Sequence, residues 1–195
     1  TLTNNKNKSN GALKLGSHVE VLSTGSVVIK GNSTVDANGS AITMTNDNGT
    51  LKLLGETTIT ENKVKLNGAI YYDKGQIILG GNVYIDKNVV DDYDYADNLV
   101  LSSGRSILSD VNYPLKKECV INVSPQNISG GEIYKYWNKD TIEGWGTPTC
   151  YTPEMIFTIG DRLKKMNESA TPQFLIHNKG TGEHVTIVLG QDSRA

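Results

Sequence analysis

The stretches Thr24–Asn38 (TGSVVIKGNSTVDAN), Asn48–Asn62 (NGTLKLLGETTITEN) and Lys74–Asn88 (KGQIILGGNVYIDKN) match in length without a gap. Gly25, Gly49 and Gly75 hold the second position, Gly31, Gly55 and Gly81 the eighth, and Asn38, Asn62 and Asn88 the last, at spacings of 24 and then 26 residues. Repetition of this length points to a stacked architecture in which each unit buries its apolar face against its neighbours.

The columns between the glycines say what is stacked. Val27 and Ile29, Leu51 and Leu53, and Ile77 and Leu79 are all apolar, while the residue between them changes from Val28 to Lys52 to Ile78. That is period two with one face buried. Alternation resumes after the central glycine, with Val35, Ile59 and Ile85 beside Thr34, Thr58 and Tyr84. A third strand precedes each block, at Leu13 and Leu15, Ile42 and Met44, and Ile70 and Tyr72, each just after Asn10-Gly11, Asn38-Gly39 or Asn67-Gly68. Three strands and their tight turns fill roughly one 24 to 30 residue coil of a parallel β-helix. Glycine and asparagine suit the corners because they tolerate positive φ. Like columns then form aliphatic ladders inside and Asn or Thr ladders at the turns, about 4.8 Å apart. A β-sandwich also has short strands and frequent turns, but gives no reason for columns to recur in register. The expected fold is all-β: a right-handed parallel β-helix of about four rungs over residues 1–110, followed by a small, mainly β C-terminal capping unit over 111–195. Val28 and Ile78 point outward in this alignment and Lys52 interrupts the stripe, so a monomer is expected.

The segment Ile59–Tyr72 (ITENKVKLNGAIYY) resembles the repeat of polymorphic membrane proteins and related bacterial surface β-helices, which pair F-x-x-N with G-G-A-I. An apolar-x-x-N element recurs at Leu2–Asn5, Val35–Asn38, Ile59–Asn62 and Ile85–Asn88, and its partner as NGAL at Asn10 and NGAI at Asn67. Ile, Val or Leu replaces Phe throughout, and Asn replaces the first Gly. The resemblance implies a β-helical fold and a surface or secreted setting, without naming a ligand.

A net charge of −2 with 21% charged residues provides no basic stripe for phosphates, so no nucleic-acid partner is expected. No apolar run is long enough to span a membrane. The opening TLTNNKNKSNGAL aligns with TITENKVKLNGAI from Thr58, so the chain reads as starting in mid-repeat, a fragment of a longer exported protein.

Beyond the last echo, NLVLSSGRSIL, strands are expected at CVINV, EMIFTI, QFLIH and HVTIVL, and a short helix or helical turn over 161–169. Cys119 and Cys150 are the only cysteines. In an exported protein they form a disulfide that closes the Trp137 and Trp145 segment onto a strand; buried free thiols are the other reading, and both stay open. A hairpin centred on Gly180-Thr181 sets His177 across from His184, where a metal ion would still lack further ligands.

The one acidic cluster, DDYDYAD, carries Asp91, Asp92, Asp94 and Asp97 with Tyr93 and Tyr95. Oxygen ligands at this density suit Ca²⁺, and tyrosines stack on sugar rings. The favoured reading of the residues is a solvated insertion. Solenoid insertions gather on binding faces, so this loop, with Tyr71 and Tyr84 nearby, is the expected contact surface. Tyr72 is expected to point inward. No stacked carboxylates, phosphate loop, nucleophile elbow or zinc motif is present, so no catalytic residue, cofactor or resident metal is assigned. The leading expectation is a non-enzymatic, adhesin-like stalk, extracellular or on the cell surface, with glycans or host-surface proteins as partners. The alternative is a fragment of a β-helical polysaccharide lyase or hydrolase with its catalytic residues elsewhere.

Overall fold

The computed structural model describes residues 1–91, 95–108, 110, 112–126, 132–136, 156–159, 174–178 and 185–191. The described chain is a parallel β-solenoid of about four turns, essentially without helix. The first turn holds β1 (Leu2–Thr3), β2 (Lys6–Asn7), β3 (Leu13–Lys14) and β4 (Glu20–Ser23). The second holds β5 (Val27–Lys30), β6 (Ser33–Thr34), β7 (Ile42–Met44) and β8 (Thr50–Leu53). The third holds β9 (Glu56–Thr60), β10 (Lys63–Val64), β11 (Ile70–Tyr72) and β12 (Gln76–Leu79). The fourth holds β13 (Asn82–Ile85), β14 (Val89–Val90), β15 (Tyr95–Ala96), β16 (Leu99–Leu101) and β17 (Ile107–Leu108). A turn therefore has four faces where the sequence predicts three strands; the extra two-residue face is too short to display a period-two pattern.

Strand register corrects the alignment of the first repeat. Val21 stacks on Leu51 and Leu51 on Ile77, whereas Val27, Val28 and Ile29 stack on Thr57, Thr58 and Ile59. Val27–Lys30 thus belongs to the face that follows the Gly25, Gly55 and Gly81 corner. The true offset between the first two repeats is 30 residues (Val21 to Leu51), followed by 26 (Leu51 to Ile77). Lys52 accordingly separates Leu22 from Ile78, while Val28 shares its outer column with Thr58, Tyr84 and Val120.

Inside, the expected aliphatic ladders run the length of the stack: Leu2, Ile29, Ile59, Ile85, Ile121 and Phe157 on one face, Leu13, Ile42, Ile70, Leu99 and Val123 on another. Most of these side chains are at 0 to 3% exposure, so the interior is closely packed. Tyr72 points inward as expected, at 3% exposure, and its hydroxyl donates to the Gly75 carbonyl at 3.1 Å.

One corner is built from asparagine. Asn5, Asn32, Asn62, Asn88, Asn98 and Asn122 form a ladder in which each Nδ2 donates to the next Oδ1 at 2.6 to 2.9 Å, ending on the Thr158 hydroxyl at 3.1 Å. In the first four, the backbone N–H donates to that same Oδ1, at 2.9 to 3.0 Å. The preceding residue turns the chain with positive φ in all four: Asn4 (56°), Gly31 (67°), Glu61 (55°) and Lys87 (58°). Ile29-x-x-Asn32 is thereby the second-turn member of the apolar-x-x-N series. Val35–Asn38 is not: Val35 is 45% exposed, and the Asn38 Oδ1 accepts from Asn67 Nδ2 at 2.8 Å in an outer column.

At the upper end β15 pairs antiparallel with β14, a ladder that terminates the short face. Its base is clamped by the Asn88–Asn98 rung. Next, β18 (Val120–Pro125) runs over both β13 and β16 and joins their faces into one sheet, with β20 (Phe157–Ile159) above it. The fourth face continues through β19 (Glu132–Tyr136) and gains an antiparallel hairpin, β21 (Phe174–Asn178) with β22 (Val185–Gln191). The helix expected over 161–169 lies outside the described residues.

Candidate functional site

The outer surface of the third face is where unlike side chains meet. Because Leu13, Ile42 and Ile70 point in, their successors Lys14, Thr43 and Tyr71 form the outer column in register. Beside it the corner that carries Asp36 and Asn38, with Leu66 one turn higher, builds a wall. Between column and wall lies a groove of about 290 Å³, which Thr45 also lines. Tyr71 is half-buried and lines the groove. Thr43 is fixed: its hydroxyl donates to the Asn38 or Gly39 carbonyl (3.1 and 3.2 Å) and accepts from Gly11 N–H at 3.1 Å. The groove thus offers one aromatic platform among amides and hydroxyls, with one cation, Lys14, and one carboxylate, Asp36.

A second concavity, of about 370 Å³, lies at the corner between the third and fourth faces. Thr50 and Gln76 stack there in register with Glu20. Asn48 turns the chain with φ 62°. Arg105 reaches down from the turn above, its Nη1 donating to the Gly75 carbonyl at 3.5 Å. Asp47 also lines the cleft, and its carboxylate is paired with Lys74 at 3.2 Å. Burial raises the Tyr72 pKa above its ordinary 10.0; the Ile77 backbone and the nearby Arg105 guanidinium, which lies within hydrogen-bonding reach of the phenol, work against that rise.

The residues singled out in the sequence do not converge on one site. Asp91 is exposed at the end of β14 and faces Lys63 of the turn below at 3.7 Å, a pair worth little in solvent. Asp97 is fully buried, its Oδ2 accepting the Gly68 amide at 3.0 Å where the outer Asn column ends. Tyr95 lies in β15, its backbone opposite Val90. Asp92, Tyr93 and Asp94 lie outside the described residues. Among the described residues, no three His, Cys, Asp or Glu gather as a metal site, and no helix is long and apolar enough to cross a membrane. Strands β21 and β22 pair with His177 opposite Val188, and His184 lies outside the described residues.

Cys119 is a buried free thiol that accepts from Val83 N–H at 3.1 Å and donates to the Gly81 carbonyl at 3.3 Å. Burial raises its pKa above 9.0, and nearby Glu118 and Glu56 add to the rise against the backbone contacts. This is the opposite of the setting that activates a thiolate. Cys150 lies outside the described residues. Asn32 and Asn122, each in an Asn-x-Ser/Thr sequence, have their amides committed to the internal ladder. Sequence reasoning reached Tyr71 but not Arg105, one of three arginines in the chain; its scarcity was the available signal.

No family model, curated protein or solved structure matches the chain significantly. The parallel β-solenoid is therefore established by the architecture itself.

Proposed function

We propose that this chain is a non-enzymatic binding module, a rigid β-helical stalk on a bacterial surface or in a secreted protein, whose third face holds a glycan. The carrying observation is the groove at Tyr71. An aromatic ring beside hydroxyls and amides suits a sugar, which presents a weakly polar ring face and a rim of hydroxyls. The closely packed interior supports a stalk, because rigidity then depends on the ladders and the outer positions stay available for contacts. Glycoside cleavage uses two carboxyl groups flanking one bond, and the groove contributes Asp36 alone. The repeat's resemblance to bacterial surface β-helices supports the setting.

Retention of the purified chain on an array of immobilised neutral and acidic glycans and host matrix proteins tests this reading, with Tyr71→Ala as the partner sample. Selective glycan retention that falls about fivefold or more in Tyr71→Ala is expected, because stacking on one ring contributes about 1 kcal/mol or more. Retention on proteins alone, or none from a folded sample, sinks the reading.

A further inference from the structure

The corner cleft differs from the Tyr71 groove in charge. Its carboxylate, Asp47, is taken up by Lys74, and Glu20, the next residue in the Thr50 and Gln76 column, is held by Lys52 at 3.2 Å. Arg105 is left as a guanidinium with no carboxylate among the described residues at ion-pair distance. Its weak bond to the Gly75 carbonyl engages one N–H of five, and the Tyr72 phenol lies within reach of another. The bond directs the side chain, and the Tyr72 hydroxyl beside it limits its freedom further. An oriented arginine fork matches the two oxygens of a carboxylate. Asn48, Thr50 and Gln76 beside it supply amides and a hydroxyl for a ligand rich in hydroxyl groups.

We propose that this cleft is a carboxylate subsite and that Arg105 makes the bound glycan an acidic one, such as a uronic acid oligosaccharide. The inference rests on the glycan reading of the neighbouring groove. Along the second turn Thr45 lines the groove and Asp47 the cleft, so the two open on adjacent stretches of one chain segment. A single oligosaccharide lays a neutral ring against Tyr71 and its carboxylate against Arg105.

The test is calorimetric titration of the full chain with a matched pair, a uronic acid oligosaccharide and the same oligosaccharide with its carboxyl groups reduced to alcohols. A sulfated neutral oligosaccharide is the third ligand. Wild type is expected to prefer the carboxylate member by about ten- to a hundredfold, the range for a hydrogen bond to a charged group. Arg105→Gln is expected to erase that preference. Arg105→Lys retains the charge without the fork and keeps only part of the preference. Thermal unfolding of each variant confirms the fold, and Tyr71→Ala weakens both members together. Equal affinity for the pair, a preference that survives Arg105→Gln, or tighter binding of the sulfated ligand overturns the carboxylate subsite and leaves the glycan reading intact. No binding of any of the three ligands, from a folded sample, overturns both.

Discussion

Replacing Asn62 by alanine tests the account of what holds the turns in register. The Asn62 side chain donates from Nδ2 to the Ile29 carbonyl (3.0 Å), the Thr60 carbonyl (2.9 Å) and Asn88 Oδ1 (2.8 Å), and accepts at Oδ1 from Asn32 N–H (3.0 Å) and Asn32 Nδ2 (2.9 Å). Alanine leaves Asn32's backbone N–H and one of its two Nδ2 protons without an acceptor, in a residue at 0% exposure. Asn88 Oδ1 is spared, because it keeps the Asn62 backbone N–H at 3.0 Å. Each orphaned buried donor costs about 1 to 3 kcal/mol, so the substitution costs roughly 2 to 6 kcal/mol. Against the 5 to 15 kcal/mol or so that holds an ordinary domain together, that is a large part of the stability. Urea unfolding followed by circular dichroism should show a midpoint lower by about 1 to 3 M at an ordinary denaturant slope. Asn5→Ala is the control, since Asn5 is exposed at the end of the ladder and Asn32 Oδ1 keeps the Asn5 N–H at 2.9 Å; its cost should stay below about 1 kcal/mol. Asn62→Asp should cost more than alanine, because it sets a carboxylate oxygen against three acceptor oxygens in a buried site. Equal midpoint shifts for Asn62→Ala and Asn5→Ala, with unchanged slopes, would refute the idea that the buried amides specify the stack.

Two further expectations use other parts of the molecule. A Cβ on Gly55 would run into the carbonyl oxygens of Gly25 and Thr24, both backbone atoms of the turn below, whereas a Cβ on Gly25 meets nothing within 4 Å; Gly55→Ala should lower the melting temperature by many degrees or abolish folding while Gly25→Ala shifts it by no more than a few, and similar shifts would show that the turns do not pack this closely. The Cys119 and Tyr72 pKa values are both raised on folding, chiefly by burial, so their neutral forms favour the folded state: their contribution is complete below the ordinary values of 9.0 and 10.0 and is lost as pH rises through the raised folded values. The urea midpoint should therefore fall above about pH 9, and the fall should be shallower in Tyr72→Phe; an alkaline limb unchanged by that substitution counts against the assignment.

Much of the fold was legible because its determinants are local and repeated. Strand-forming pairs such as Ile42 and Met44 or Ile70 and Tyr72, with Asn-Gly ahead of them, identify a coil without knowledge of its neighbours. Register was harder, because every face of a β-solenoid carries the same period-two alternation. TGSVVIKG and NGTLKLLG look alike although Val27–Lys30 and Thr50–Leu53 lie on different faces. What separates them is long-range: Asn32 hydrogen-bonds with Asn62, and Asn38 with Asn67. A ladder residue is recognised by what stacks on it, and Asn98 and Asn122, ten and 24 residues further along, share no spacing with the earlier members. The candidate site was legible only through Tyr71. Its partners come from the two turns below, Lys14 from the first and Asp36 and Thr43 from the second, and Arg105 sits in the last echo of the repeat, NLVLSSGRSIL, which does not reveal the cleft its side chain enters.

The division between inside and outside explains where function can lie on such a chain. Inward positions repeat because each must match the residue above and below it, and the corners repeat because each must close on a neighbouring carbonyl or amide. An outward position answers to neither demand, so its column is free to vary. On the third face the outer column changes from Lys14 to Thr43 to Tyr71 while the inner one stays Leu13, Ile42, Ile70. On the fourth, Glu20, Thr50 and Gln76 stand beside Val21, Leu51 and Ile77. In a repeat protein the departures from the repeat, once placed by register, are thus the first place to look for recognition. Here those two columns border the two concavities of the described surface that carry the glycan and carboxylate proposals.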